Sequence, residues 1–169
     1  MLQKILIWQR RLKRYIYTKL ALRRVKDVKG PVFINGRSTF SKNTRLGSNV
    51  HFNGMKASGC GQLIIGDNFH SGEDCLIITQ IHNYDRGESI PYDATYIAKD
   101  VVIEDNVWLG SRVIILGGVT IGEGAIIQAG SCVVNDIPKY AIAGGHPAKV
   151  FSQRNIEHYE KLKSEGKFF

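Results

Sequence analysis

The sequence predicts an all-β solenoid, and three observations lead to this prediction. Aliphatic residues recur at every sixth position over seven consecutive hexads, and a small or β-branched residue follows four positions after each of them. The chain also has 18 glycines but only 4 prolines, so it turns often without being proline-rich. An α-helix would show a period near 3.6 and a simple strand a period of 2. A strict period of six instead indicates short strands that are joined by tight bends.

The repeat occupies two blocks of the sequence. The leads of the second block are Ile97, Ile103, Leu109, Ile115, Ile121, Ile127 and Val133, followed at the fourth step by Val101, Val107, Val113, Val119, Ala125, Ser131 and Ile137. The leads of the first block are Val28, Ile34, Phe40, Leu46 and Phe52, and after one extra residue near 54–61 they resume at Ile65, Ser71 and Ile77. Three such strands would close a coil of 18 residues, and successive coils would stack about 4.8 Å apart.

A polar and aromatic segment, residues 83–96, interrupts the repeat. It contains three tyrosines and three acids, namely Tyr84, Tyr92, Tyr96, Asp85, Glu88 and Asp93. A loop that breaks a regular solenoid is more often functional than decorative. Its tyrosines could stack on a sugar and its acids could accept hydrogen bonds from one, and His82 lies directly before it. We therefore expect this loop to bind a ligand.

The two ends of the chain are predicted to be helical and to cover the open ends of the solenoid. Residues 1–26 form a basic amphipathic cap whose apolar stripe consists of Leu2, Ile5, Trp8, Leu12, Tyr15, Ile16 and Leu20. We expect this helix to lie on the first coil, and attachment to an anionic membrane surface is the alternative. The β-helix domain is assigned to residues 27–150 and a helical tail to residues 151–169.

The charge of the chain is placed unevenly. The formal net charge is +8, but residues 1–26 hold nine basic residues and no acid, which leaves the remainder at −1. The basic character therefore belongs to a short arm and does not indicate a nucleic-acid binder. Three cysteines without a CxxC pair suit reduced thiols, and neither a membrane-spanning run nor a signal peptide is apparent. We expect a cytoplasmic protein, with contact of residues 1–26 to the inner face of the membrane left open.

The sequence resembles the hexapeptide-repeat acyltransferases, which fold as left-handed parallel β-helices, from about residue 28 to residue 150. Within this family it is similar to the maltose/galactoside and capsule or lipopolysaccharide O-acetyltransferase branch. The segments that carry the resemblance are 65–68 (IGDN), 79–82 (TQIH), 103–111 (IEDNVWLGS), 117–122 (GGVTIG), 129–131 (AGS) and 144–150 (GGHPAKV).

This resemblance implies a homotrimer that uses acetyl-CoA to acetylate a hydroxyl of a sugar or surface-polysaccharide precursor, without a metal. His82 would be the general base, because the catalytic histidine of the family precedes the extended loop. The acceptor would contact Asn53, Tyr84, Asp93 and Trp108. The coenzyme would contact Trp108, Ser111, Ala129, Lys149 and Arg154, although Asn135 stands where relatives often carry a lysine.

Three other readings remain open on the sequence. The first is an N-acetyltransferase that acts on an amino sugar, or a xenobiotic acetyltransferase, since both occur on the same fold. The second is a zinc carbonic anhydrase, an enzyme class that also has this fold and binds the metal through three histidines. His51 and His70 are 19 residues apart and would stack one coil apart, but His82 would lie on another side of the triangle. A solenoid without catalytic activity is the third alternative.

Overall fold

The computed structural model describes residues 2–169, except for the side chains of Leu2, Lys4 and Ile5. The helices are α1 (Leu2–Leu22) and α2 (Ile156–Ser164). The strands of the first half are β1 (Asp27–Val28), β2 (Val32–Gly36), β3 (Thr44–Leu46), β4 (Val50–Ser58), β5 (Leu63–Ile65), β6 (His70–Ile78), β7 (Gln80–His82) and β8 (Tyr96–Ala98). Those of the second half are β9 (Val101–Ile103), β10 (Trp108–Leu109), β11 (Ile114–Ile115), β12 (Thr120–Ile121), β13 (Ile126–Ile127), β14 (Cys132–Val133), β15 (Ala141–Gly145) and β16 (Ala148–Gln153).

The strands form the three walls of a solenoid, which confirms the predicted fold class. The first wall is the parallel sheet β1-β3-β5-β9-β12. The second wall contains β2, the first part of β4 and of β6, β10, β13 and β15. The third wall contains the remainder of β4 and β6 with β11 and β14. Because β4 and β6 are long enough to pass the corner, they belong to both the second and the third wall.

The repeat positions supply the core of the solenoid. The leads Ile103, Leu109, Ile115, Ile121, Ile127 and Val133 are all 0% exposed, as expected of side chains that point inward. Ile97 is an exception, because it is 39% exposed and lies in β8, outside the coils. Val28 is also exposed, since it lies in the two-residue strand at the end of the stack. Ser71 is buried at a lead position, and its hydroxyl has no hydrogen-bond partner among the described residues.

A β-hairpin is inserted into one coil, and the coil closes across its base. Strands β7 and β8 pair antiparallel, so the interruption extends from residue 80 to residue 98 and is somewhat longer than the predicted loop. The backbone N–H of Lys99 donates to the carbonyl of Thr79 over 3.0 Å. Coils after the hairpin repeat every 18 residues, as in the pairing of Trp108 with Ile126. The coil that contains the hairpin is longer, and there His70 pairs with Trp108.

One corner between the first and second walls carries a ladder of asparagines. Asn49, Asn68 and Asn106 all adopt left-handed backbone conformations with φ of 55–60°, which asparagine tolerates better than most residues. Their side-chain amides join consecutive coils, from Asn49 to Asn68 at 3.0 Å and from Asn68 to Asn106 at 2.9 Å. Asn106 then donates to Glu123 at 3.3 Å. The ladder satisfies side-chain amides that would otherwise be partly buried without partners.

Helix α1 contacts the first coil through a face other than its predicted stripe. Ala21 is buried in the core, Tyr17 packs against it, and the hydroxyl of Thr18 accepts a hydrogen bond from the backbone N–H of Ile34 over 3.3 Å. The stripe expected on the coil is exposed instead, and its described members are Trp8, Leu12, Tyr15, Ile16 and Leu20. Leu2 and Ile5 lie outside the described side chains.

Helix α2 lies along the second wall of the solenoid, beside the corner that carries the asparagine ladder. The side chain of Asn155 caps its N-terminus by accepting from the backbone N–H of His158 over 2.9 Å. Tyr159 donates from its hydroxyl to Glu123 over 3.0 Å, and Lys163 forms an ion pair with the same carboxylate. Neither helix, within residues 2–169, combines the length and the apolar character that a bilayer crossing requires.

Candidate active site

His82 lies at the base of the hairpin, between two tyrosine rings. Its imidazole stacks on Tyr92, with ring centroids 3.7 Å apart, and is tilted against Tyr96 at 4.5 Å. The Nδ1 atom of His82 is enclosed and has no hydrogen-bond partner among the described residues. The ring is therefore oriented by aromatic packing, and Nε2 is left as the nitrogen that could exchange a proton with a ligand.

The loop of the hairpin is organised by Asp93. Its carboxylate accepts hydrogen bonds from the backbone N–H of Thr95 over 2.8 Å, from the hydroxyl of Thr95, and from the N–H of Glu88 over 3.0 Å. These bonds lower the pKa of Asp93, the bond from the Thr95 hydroxyl most strongly. Asp93 is therefore engaged within the loop, and its contact with an acceptor stays a prediction. Tyr84 is 67% exposed and remains available for contact.

Trp108, Ser111 and Ala129, which the sequence singles out, line one groove. This Ala129 groove has a volume of about 390 Å³ and is formed by Trp108, Gly110, Ser111, Ile126, Ile127, Gln128, Ala129, Ile142 and Phe151. Its floor follows the corner where the second wall meets the third. Glycine is required at position 110, because a Cβ there would lie 2.5 Å from the backbone nitrogen of Ala129. The lining of the groove is mostly apolar, and the groove is open at the surface.

Asn53 lies at the same corner, two coils away from the Ala129 groove. It pairs with Glu73, whose backbone N–H donates to the hydroxyl of Ser111 over 3.1 Å on the next coil. The amide of Asn53 donates to the carbonyl of Ser71 over 2.7 Å and accepts from Asn35 over 3.0 Å. The corner thus aligns Asn53 with Ser111, but the amide of Asn53 already has partners within the solenoid.

The two basic residues expected at the coenzyme are separated from one another. Lys149 is exposed in β16. The Arg154 Nε donates to the carbonyl of Gly124, and its guanidinium lies 5.6 Å from the ring centroid of Tyr159. Arg154 therefore lines a different groove from Ser111 and Ala129, and its contact with the coenzyme stays a prediction.

This second groove, the tail groove, lies between the second wall and α2. It has a volume of about 490 Å³ and is lined by residues that include Asn68, His70, Asn106, Trp108, Arg154, His158, Tyr159, Lys163 and Phe169. Trp108 is 53% exposed and borders both grooves. Its indole therefore forms a partition between them, which the spacing of the repeats does not reveal.

His51 and His70 stack on adjacent coils, as their spacing predicts. Their ring centroids are 4.3 Å apart with an interplanar angle of 10°, and Phe33 extends the stack beyond His51 at 4.5 Å. His82 is not part of this stack, because it lies on the hairpin. Over residues 2–169, no group of three histidine, cysteine or acidic side chains is arranged to hold a metal.

The stacked histidines should make stability depend on pH. The pKa of His51 is lowered to about 4, first by burial, then by the charge of His70 and then by that of Arg14. Between pH 6.5 and pH 4, His51 therefore binds a proton in the unfolded chain but not in the folded chain. Stability should be complete above the ordinary pKa of about 6.5 and should fall as the pH decreases toward 4. Because the ring is partly exposed, we expect His51→Phe to reduce the loss of Tm between pH 7 and pH 4.5 by only about 2–4 °C.

Thermal melts of both proteins across this range measure the effect. His158→Phe is the control, since that histidine is exposed on α2. An identical pH dependence in His51→Phe and in the unmodified protein would contradict the prediction.

Comparison with known families matches residues 100–135 to the bacterial transferase hexapeptide family (six repeats). A curated relative, the chloramphenicol acetyltransferase of Escherichia coli, is 37% identical over 112 residues, which are 57% of this chain and 53% of the relative. The chain thus spans about half the length of the curated relatives it matches.

Two solved structures share the fold over most of both chains. A galactoside acetyltransferase in complex with coenzyme A aligns with a TM-score of 0.72 and 27% identity, over 84% of this chain and 72% of the other. A hexapeptide-repeat acetyltransferase of Vibrio cholerae, complexed with acetyl coenzyme A, aligns with a TM-score of 0.69 and 26% identity. That alignment covers 80% of this chain and 75% of the other.

Proposed function

We propose that this chain transfers an acetyl group from acetyl-CoA to a hydroxyl of a sugar or surface-polysaccharide precursor. The matches confirm the resemblance of its hexapeptide repeats to those of acetyltransferases. One observation carries the proposal. Trp108, Ser111 and Ala129 line the same groove, and they are three of the five positions at which the family resemblance implies the coenzyme. An open, mostly apolar groove suits the extended pantetheine arm of coenzyme A.

His82 would act as the general base of this reaction. Its Nε2 would accept the proton of the acceptor hydroxyl while the hydroxyl oxygen attacks the thioester carbonyl carbon. The C–S bond then breaks, and the coenzyme leaves as a thiolate that takes the proton from His82. Backbone N–H groups at the coil corner would stabilise the oxyanion. The tyrosines against His82 would keep the imidazole oriented for this transfer.

The proposed site needs a second copy of the chain. Trp108 lies in β10 on the second wall, whereas His82 leaves the solenoid with the hairpin after the third wall. Neither groove is lined by His82 among the described residues. A homotrimer would place the hairpin of one subunit against the groove of the next, and closed cyclic symmetry is the usual arrangement of identical chains.

Light scattering at micromolar concentration should therefore give three times the chain mass of 18.9 kDa. A monomer under the same conditions would contradict the shared site. As a check on the interface, the hairpin variant Ile90→Lys places a charge on a side chain that is 98% exposed in the monomer. We expect this variant to remain folded, and any shift toward smaller species would locate the hairpin at a subunit contact.

The acceptor class is tested by thiol release from acetyl-CoA. We expect turnover with simple sugars, nucleotide sugars or lipid-linked glycans, because one structural neighbour is a galactoside acetyltransferase and the loop offers exposed Tyr84. Amino sugars and chloramphenicol belong in the same panel, since one curated relative is a chloramphenicol acetyltransferase. Turnover with chloramphenicol or amino sugars alone would favour the second candidate, a xenobiotic or N-acetyltransferase. No thiol release with any acceptor would contradict the proposal.

The proposed chemistry is base catalysis, so a chelator should leave turnover unchanged. We expect acetyl transfer to proceed equally before and after treatment with EDTA. Activity that is abolished by the chelator and restored specifically by zinc would favour the carbonic anhydrase reading. Hydration of carbon dioxide by the same preparation would then be measured directly.

A further inference from the structure

Helix α1 has two different faces, and only one of them contacts the solenoid. Residues 14, 17, 18 and 21 follow helical spacing on the contacting face, where Ala21 is buried and Thr18 bonds to β2. Residues 8, 12, 15, 16 and 20 also follow helical spacing, but on another face. We call this second set the outer stripe, and it consists of Trp8, Leu12, Tyr15, Ile16 and Leu20.

The outer stripe is both large and exposed. Trp8 and Tyr15 are 63% and 62% exposed, and the other three side chains are between 41% and 50% exposed. A group of large, exposed apolar side chains on one helix face marks an interaction site. Tryptophan and tyrosine are the side chains that combine an apolar body with a polar tip, and they favour the interface between water and lipid.

The positive charge around the outer stripe indicates that its binding partner is an anionic surface. Residues 1–26 hold nine basic residues and no acid, whereas the rest of the chain has a net charge of −1. An apolar surface on another copy of this chain would not need this concentration of charge, and nine like charges on each copy would repel. An anionic lipid headgroup layer supplies the complementary charge, and the acyl boundary beneath it accepts the apolar side chains.

We propose that α1 lies in the plane of an anionic membrane surface, with the outer stripe inserted at the headgroup boundary and the solenoid facing the water. The helix has the composition of an interfacial helix, since it combines apolar and cationic residues without an acidic one and does not qualify as a membrane span. Lys19 lies within the stripe and Lys13 beside it, and long lysine side chains can extend to the headgroups. The inference does not depend on the acetyl transfer proposed above.

Fluorescence of Trp8 tests the insertion directly. The chain has two tryptophans, so Trp108→Phe leaves Trp8 as the only source of tryptophan fluorescence. Vesicles that contain phosphatidylglycerol should shift its emission to shorter wavelength and protect it from a water-soluble quencher. Vesicles of phosphatidylcholine alone should do so much more weakly. An unchanged spectrum with both kinds of vesicle would overturn the proposal.

Vesicle flotation of the full-length protein then separates the apolar and the electrostatic contributions. Leu12→Gln with Leu20→Gln keeps good helix formers and should weaken binding to anionic vesicles about 100-fold. Lys13→Gln with Lys19→Gln should weaken it about 30-fold. The matched control is Val134→Gln with Val150→Gln, which removes two exposed apolar side chains outside the helix and should bind normally. Circular dichroism verifies that every variant is folded.

Two further outcomes would overturn the proposal. If the control pair weakens binding as much as the helix pair, adsorption is not specific to α1. If Trp8 emission shifts with protein concentration in the absence of vesicles and vesicles cause no further change, a second copy of the chain covers the outer stripe instead.

Discussion

Replacing His82 is expected to abolish most acetyl transfer while leaving the solenoid intact. A positioned general base usually contributes about 10²–10⁴ to the rate, so kcat of His82→Ala should fall by that factor. His82→Asn should fail similarly, because an amide keeps a hydrogen bond but does not accept a proton at neutral pH. The Kd of acetyl-CoA should be maintained, since Trp108, Ser111 and Ala129 lie elsewhere.

The stacking of His82 between tyrosines requires a more careful control than alanine provides. Loss of the imidazole removes the contact with Tyr92 and can loosen the hairpin. His82→Phe preserves an aromatic ring at this position but has no nitrogen that accepts a proton. We expect the phenylalanine variant to melt like the unmodified protein and still lack turnover. Near-normal kcat in either His82→Phe or His82→Ala would remove the proposed mechanism.

Tyr92 provides the complementary test. Tyr92→Phe keeps the ring against His82 and should retain most of the activity, whereas Tyr92→Leu removes the stacked ring. If the ring only orients the imidazole, the leucine variant should lower kcat and leave the Kd of acetyl-CoA unchanged.

Filling the Ala129 groove is expected to have the second-largest effect. Ala129 is exposed at the edge of the groove, and a tryptophan there would occupy much of its 390 Å³. The Kd of coenzyme A for Ala129→Trp should rise about 30-fold or more, comparable to the loss of a major binding contact. The control Gln62→Trp adds the same side chain at an exposed position on an earlier coil.

Titration calorimetry with coenzyme A distinguishes the possible results. Equal affinities in Ala129→Trp, Gln62→Trp and the unmodified protein would show that the coenzyme binds outside this groove. Because both variants add one exposed indole, a difference between them cannot be attributed to added hydrophobic surface alone.

The core was predictable because burial in a solenoid follows a linear sequence rule. Each lead such as Ile115 or Ile127 points inward for the same reason, and the strand pairings repeat at 18 residues where the pattern is strict. The same rule explains why His51 and His70 could be placed on adjacent coils despite the extra residue between them. Ile97 broke the rule, since a lead position next to an insertion can belong to the insertion.

The candidate active site was less predictable, because it depends on side-chain contacts that the six-residue repeat does not determine. The stacking of Tyr92 on His82 joins residues ten positions apart across a loop whose shape is set by Asp93. The orientation of α1 was also missed, since a hydrophobic stripe shows that a helix has two faces but not which of them meets the solenoid. The asparagine ladder did have a signal in the sequence, the residue pair Asp-Asn at positions 67–68 and 105–106, which lies within the segments that carry the family resemblance.

The coil closes beneath the hairpin, so under the proposed function the choice of acceptor would be separate from the folding of the stack. Lys99 bonds to Thr79, and Leu63 pairs with Val101, and neither contact involves the hairpin. The register between the coils therefore does not depend on the length of the inserted segment. Residues 80–98 therefore form an exchangeable module. Hairpins of other lengths and compositions could be grafted between Thr79 and Lys99, and acceptor preference could be diversified in this way on an unaltered scaffold.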